Sequence, residues 1–241
     1  MRKRSRVNRT RRRQRGGSNY LVFYTCYFGP SGKEADTIPE RPSTKYKCYF
    51  FSNNRDTLKG AEARGFLAVY VDVPIKTTNR DNAVDSKELK ACPHHFAELE
   101  GYTYTCYYDS KLHVKEADVE EFIRAEMNEP IVMMLNEHPR NKSSVWQEYE
   151  DAMPAERYSV NGPKYNGLIR SKIAQGMKNT AEHHYETGFI IRKSGHMAEK
   201  MGEEWLSDIR ATGAECQITF FFVQQKYAKY VKPFSRYYGK K

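Results

Sequence analysis

Tyr104-Thr105-Cys106-Tyr107-Tyr108-Asp109-Ser110-Lys111-Leu112 opens as a run of Thr and aromatic residues that suits a strand, then ends on one acid before the sequence turns charged. A carboxylate at the C-terminal tip of a central strand sits where α/β proteins hold ligands and metals. Just upstream, Lys87, Lys90 and the turn Pro93-His94-His95 supply cations for a phosphate. A second strand-like run at 45–52 closes on Asn53-Asn54. Together these residues suggest a site for a metal-bound, phosphorylated small molecule.

The order of elements around that stretch implies a parallel sheet. Residues 20–28 read as a first strand followed by the turn Gly29-Pro30-Ser31-Gly32, and 45–52 as a second strand. Residues 56–64 read as a short helix that Asp56 is placed to cap, and 65–73 as a third strand stopped by Pro74. Strand, helix, strand calls for parallel pairing. Helices are expected at 79–91, where Lys87 and Lys90 sit three apart on one face, and at 116–127, with Val119, Phe122, Ile123 and Met127 inward. A buried strand is expected at 131–135. In the less regular second half, 144–153 and 165–177 suit helices and 188–192 a short apolar strand. Residues 197–210 suit a helix packed through Met201, Trp205, Leu206 and Ile209. The run 216–227 is rich in β-branched and aromatic residues, which argues strand, while its length also admits a helix.

A chain of 241 residues is long enough for one large domain with a buried core. Its formal charge of +10 belongs to one end: of 40 Lys and Arg, nine lie within residues 2–15 with no acid among them, leaving 31 against 30 acids. Such a segment repels itself and has almost nothing apolar to bury. Residues 1–18 are therefore expected to be a disordered basic tail, ahead of one domain at 19–241. The tail suits solubility or targeting, or contact with a polyanion through residues 2–15. No apolar run approaches the roughly 18 residues of a membrane span, and the N-terminus lacks the apolar core of a signal peptide, so a cytoplasmic setting is expected. Cys26, Cys48, Cys92, Cys106 and Cys216 are odd in number and widely spaced, and read as reduced core residues. With no C-x-x-C pair and no matching histidine spacing, no zinc site is expected.

A divalent metal bridging a diphosphate wants one or two carboxylates plus phosphate oxygens and water. Asp109 offers one, and an Asp that merely caps a turn is the alternative. His138-Pro139-Arg140 follows the strand at 131–135, on the side where ligands bind. His183-His184 lies in a polar stretch, and His196 follows the strand at 188–192 closely enough to complete a metal or phosphate site. Each alone also reads as an ordinary surface histidine.

Seven segments occur in a telling order: Tyr24-Thr25-Cys26-Tyr27-Phe28-Gly29; Cys48-Tyr49-Phe50-Phe51-Ser52-Asn53-Asn54; Lys87-x-x-Lys90-x-x-Pro93-His94; Tyr107-Tyr108-Asp109-Ser110-Lys111-Leu112; His138-Pro139-Arg140 with Ser144-Val145-Trp146-Gln147-Glu148; Glu186-Thr187-Gly188-Phe189-Ile190-Ile191-Arg192; then Trp205 and Gln217. This order resembles the glycosyltransferase-like family found in plant cell-wall and mucilage proteins and in bacteria, over nearly all of residues 20–227. The Arg-rich leader before a compact unit is also similar to proteins of large DNA viruses, some of which encode their own glycosyltransferases. For such a member the setting would be host-cell cytoplasm or virion.

The resemblance implies a GT-A-type nucleotide-sugar fold, an α/β domain with a mostly parallel central sheet flanked by helices. It implies that Thr25 and Tyr27, with Asn53 and Asn54, hold the nucleoside at the ends of the first two strands. Lys87 and Lys90, joined on the donor side by His94 and Arg192, would approach the diphosphate, and Asp109 with His196 would hold Mn²⁺ or Mg²⁺. The implied activity moves a sugar from a nucleoside diphosphate donor to a hydroxyl of a glycan or glycoprotein acceptor, with Glu215 or His138 as base. Two other readings stand beside it. One is a nucleic-acid-binding protein acting through its tail, against which the near-neutral body argues. The other is an inactive glycosyltransferase-like scaffold, since Asp109 stands alone and Glu215-Cys216-Gln217 replaces a family pattern close to Arg-Asp-Gln.

Overall fold

The computed structural model describes residues 19–30, 37–139 and 144–238. The basic tail and Arg140 lie outside them. The described strands form one seven-stranded sheet. In chain order they are β1 (Leu21–Cys26), β2 (Lys47–Ser52), β3 (Leu67–Tyr70), β4 (Tyr104–Tyr108), β5 (Met133–Glu137), β6 (Tyr185–Lys193) and β7 (Val231–Pro233), and their spatial order is β3-β2-β1-β4-β6-β5-β7. β1 pairs in parallel with β2 and β4, β2 with β3, and β5 with β7; only β6 runs antiparallel to its neighbours β4 and β5. The expected mostly parallel sheet flanked by helices is present.

Side chains alternate across the pleat, so successive residues feed opposite layers. Val22, Tyr24, Tyr107, Met133, Leu135 and Ile190 pack on one face against helix α2 (Asn79–Ala91), α7 (His196–Thr212) and α8 (Cys216–Lys226). Leu21, Phe23, Cys106, Tyr108, Met134, Phe189 and Ile191 pack on the other, against α1 (Arg55–Ala63), α3 (Glu116–Glu126) and the aromatic C-terminal residues Phe234 and Tyr238. Trp205 is fully buried and its indole N–H donates to Cys216 O (3.0 Å), so an apolar body of about 1.5–3 kcal/mol is buried with its polar atom satisfied. A third cluster joins α4 (Val145–Ala152) and α6 (Gly162–Ala174) to the outer side of α8 through Val145, Tyr165, Ile169, Ile218 and Phe222. Between α4 and α6 lies the single-turn helix α5 (Glu156–Ser159).

Of the strand and helix readings left open for 216–227, the helix holds: α8 is buried on almost every side, so it shows no amphipathic period. One expectation is corrected. Asp56 does not cap α1; Asn54 does, its Oδ1 accepting from the N–H groups of Asp56 (2.9 Å) and Thr57 (3.3 Å). β7 was not foreseen; three residues carry too little pattern. The five cysteines are all free, as expected. Among the described residues no helix is long and apolar enough to cross a membrane.

Candidate functional site

The ends of the strands assemble one cleft. The C-terminal ends of β1, β4 and β5 point to one edge of the sheet, and because β6 runs the other way, its start reaches that same edge. Cys26, Asp109, Asn136 and the segment Glu186-Thr187-Gly188 therefore line a single cleft of about 380 Å³. Lys87 and Lys90 enter it from α2, Glu215 and Gln217 from the start of α8, and Arg157 and Tyr158 from α5. A smaller hollow of about 290 Å³ shares Cys26, Lys87, Arg157 and Tyr158 and extends to Tyr27, Phe28 and Arg80. A larger cavity of about 790 Å³, lined by Met177, His183, Tyr185 and Gln224, contains none of these strand-end residues.

Asp109 is fixed from three sides. Its N–H donates to Gly188 O (2.8 Å), the Tyr107 hydroxyl donates to its Oδ1 (2.5 Å), and the Lys90 ammonium lies 3.2 Å from Oδ1 and 3.4 Å from Oδ2. Lys90 is 2% exposed, and its ammonium lies 4.8 Å from the centre of the Tyr107 ring. A helical side chain leans toward the N-terminus of its helix, which lets Lys90, near the end of α2, reach back to the strand tip. Burial alone would raise the Asp109 pKa, but Lys90 and Lys87, with the Tyr107 hydroxyl, outweigh it and hold the carboxyl below its ordinary value. Burial pulls the Lys87 ammonium down, and Cys216, Asp109, Glu215 and Cys26 together outweigh it, so Lys87 stays charged. Tyr107 is raised by burial and by Asp109, and keeps its proton to donate.

Glu215 closes the far side. It caps α8, with Oε1 accepting from Gln217 N–H (2.9 Å), while its own N–H donates to the Tyr165 hydroxyl (2.9 Å). Burial raises its pKa, Glu148 adds to the rise, and Lys87 and Tyr158 only partly oppose it. The Gln217 amide donates to Glu148 Oε1 (3.0 Å) and His184 Nε2 meets Glu148 Oε2 (2.9 Å), so a buried polar chain runs inward from the cleft.

The structure thus brings together Lys87, Lys90, Asp109 and Glu215, with Tyr27 next door. Other expected site residues lie elsewhere. Asn53 and Asn54 are tied to the backbone of Gly29, Asn53 Oδ1 accepting from Gly29 N–H (2.9 Å) and the Asn54 amide donating to Gly29 O (3.1 Å). Thr25 is fully buried in β1 and does not line the cleft. Arg192 is buried at the far end of β6, donating to the Tyr24 hydroxyl (3.1 Å) and Lys90 O (2.6 Å). His196 begins α7 at that opposite edge, and His94 faces Glu203 of α7. The reversal of β6 explains both Arg192 and His196: the C-terminal end of an antiparallel strand emerges at the edge opposite the cleft. His138 comes after β5 at the correct edge but stands beside His184, ring centres 5.5 Å apart, rather than in the cleft lining. Arg157, Tyr158 and Tyr237 line the cleft unforeseen. The first two lie in a polar stretch with no period, and Tyr237 comes after the last recognisable segment.

The cleft fits a divalent cation through one atom. Oδ1 of Asp109 takes the Tyr107 hydroxyl and Oδ2 accepts from Lys90 (3.4 Å), while the side chain remains 44% exposed and Gly188 carries no Cβ beside Oδ2. One carboxylate oxygen completed by phosphate oxygens and water suits Mg²⁺ or Mn²⁺.

The sequence matches no protein-family model and no curated protein sequence. Solved structures give distant likenesses. Mouse xyloside xylosyltransferase 1, apo form, is 9% identical over 89% of this chain and 84% of that one, with a TM-score of 0.49. CMP:2-keto-3-deoxy-manno-octonic acid synthetase complexed with CTP is 9% identical over 89% of each chain, with a TM-score of 0.43. The mannosyltransferase Ktr4p from S. cerevisiae is 10% identical over 84% of this chain and 62% of that one, with a TM-score of 0.37. All three scores lie below 0.5, and no role is assigned from them.

Proposed function

We propose that this chain is a glycosyltransferase of GT-A type that moves a sugar from a nucleoside diphosphate donor to an acceptor hydroxyl on a glycan or glycoprotein. The observation that carries the reading is the meeting of Lys87, Lys90 and Asp109 in one cleft at the ends of the parallel strands. The order of sequence segments supports it independently. The nucleoside occupies the hollow beside Tyr27 and Phe28, and the diphosphate lies against Lys87 and Arg157. Lys90, committed to Asp109, is a positioning residue. Asp109 would hold Mn²⁺ or Mg²⁺, which would supply positive charge to the leaving diphosphate. Glu215 takes the acceptor hydroxyl proton while the acceptor oxygen bonds to the anomeric carbon and the bond from that carbon to the diphosphate breaks. Burial and Glu148 raise its pKa, which makes it a stronger base than an ordinary carboxylate.

The test is release of nucleoside diphosphate from a panel of sugar nucleotides, with and without Mn²⁺, by the wild type and Glu215→Gln. Metal-stimulated release that Glu215→Gln lowers with donor binding intact upholds the reading. Donor binding with no turnover toward any acceptor or water favours the scaffold, a reading to which the Lys90–Asp109 pairing also lends itself.

A further inference from the structure

We infer that Cys92, His94, His95 and Glu203 form a zinc site that clamps the end of α2 to α7. Cys92 ends α2, the two histidines come next on the short 3-10 turn Pro93–His95, and Glu203 comes from the middle of α7. One ligand atom from each lies within 4.8 Å of every other. None of the four lines the cleft around Asp109.

Two carboxylates meet the two nitrogens of His95, a pattern that a positive charge satisfies, whether carried by the imidazole or by a bound metal. His95 Nδ1 lies 2.8 Å from Glu88 Oε1, and its other nitrogen lies 2.5 Å from Glu203 Oε1. A neutral imidazole has one N–H, so whichever carboxylate receives it, the remaining nitrogen turns a lone pair toward the other carboxylate. His94 Nε2 converges on the same Glu203 oxygen at 3.2 Å. Glu88 is itself held by Arg210, whose Nη2 lies 2.7 Å from Oε2. With Glu88 taking the Nδ1 proton of His95, the Nε2 lone pair is left for a metal, the carboxylate–histidine–metal relay that fixes tautomer and ring orientation in metal centres.

The donor set selects the ion. One thiolate, two imidazoles and one carboxylate are four ligands of mixed softness, which suits tetrahedral Zn²⁺, and the two anions balance its two charges. Gly202 makes the arrangement reachable: a Cβ there would stand 2.3 Å from Ala91 O and 3.4 Å from Cys92 Sγ, so only glycine lets α7 bring Glu203 this close to the end of α2. The partly exposed histidines leave an entry path. No sequence pattern announces the site, because Glu203 is 108 residues from His95.

The test uses the full chain, stripped with a chelator and titrated with Zn²⁺ alone. One equivalent should bind and raise the thermal midpoint. Co²⁺ in its place should give the near-ultraviolet charge-transfer absorption of a thiolate ligand, lost in Cys92→Ser. Glu88→Gln, which touches no metal, should weaken Zn²⁺ about 10–100-fold. Asp109→Asn should leave Zn²⁺ affinity unchanged, which separates this site from the cleft. Absence of stoichiometric Zn²⁺ binding overturns the inference, as does binding that His94→Ala and His95→Ala leave unaltered.

Discussion

Lys90, 2% exposed, places its ammonium 3.2 Å from Asp109 Oδ1, joining the middle of the cleft to the helix that flanks it. Asp109→Asn leaves that buried ammonium without a counter-charge. The variant should fold but lose about 1–3 kcal/mol, at the lower end because Asp109 is itself half exposed. The depressed pKa of Asp109 sets the sign of the pH dependence. Its contribution is present above the unfolded value of 3.8 and is lost as pH falls below it through the folded value. Urea midpoints of both proteins should therefore differ near neutral pH and converge in acid. An equal gap at both would mean that the ion pair is not its source.

Glu215 should set the acid limb of activity. As base it must be ionised, so kcat/KM should rise with pH through a value above the ordinary 4.5. Glu215→Gln keeps an acceptor for the Gln217 N–H and should remove that limb, with turnover down by about 10²–10⁴. Between 4.5 and the raised value the folded state holds the extra proton, so Glu215 costs stability as pH rises through that window. The variant should be relieved of this cost. An unchanged pH–rate profile in Glu215→Gln would assign the base elsewhere.

Gly188→Ala reports on the Asp109 pocket without changing a charge. Its Cβ would stand 3.2 Å from Asp109 Oδ2, so the carboxylate must yield by a few tenths of an ångström. Metal-dependent donor binding should weaken several-fold, on the order of 1 kcal/mol, while the fold is kept. Full retention of donor affinity would place the metal away from Oδ2.

Gly202→Ala should be the costlier change, because its Cβ meets backbone. A separation of 2.3 Å from Ala91 O forces α2 and α7 apart and should cost about 1–3 kcal/mol or more in urea unfolding. Wild-type stability in this variant would contradict the close approach of the two helices.

The elements that positioned the cleft were legible because their patterns are local. The aromatic strand ending on Asp109 was readable from its run of Thr and aromatic residues, and the helix carrying Lys87 and Lys90 from its local pattern, with α2 found at residues 79–91 as expected. What failed depends on direction and distance. Nothing in Gly188-Phe189-Ile190-Ile191-Arg192 says that its strand runs antiparallel, yet that reversal sends Arg192 and His196 away from Asp109 and leaves Glu186 facing it. Asn53 and Asn54 stand at a strand tip, as ligand residues do, but hold Gly29 and cap α1 instead. Arg157 and Tyr158 reach the cleft from a single helical turn, too short to show a pattern.

The central claim is that Lys87, beside Asp109, receives a diphosphate. Calorimetric titration of uridine and guanosine diphosphate, with Mn²⁺ present, into the wild type and Lys87→Ala tests it most directly. The account predicts saturable binding by at least one of the two, strengthened by the metal and weakened about tenfold, or about 1.4 kcal/mol, in Lys87→Ala. No binding of either nucleotide at millimolar concentration, or equal affinity in the two proteins, would contradict it.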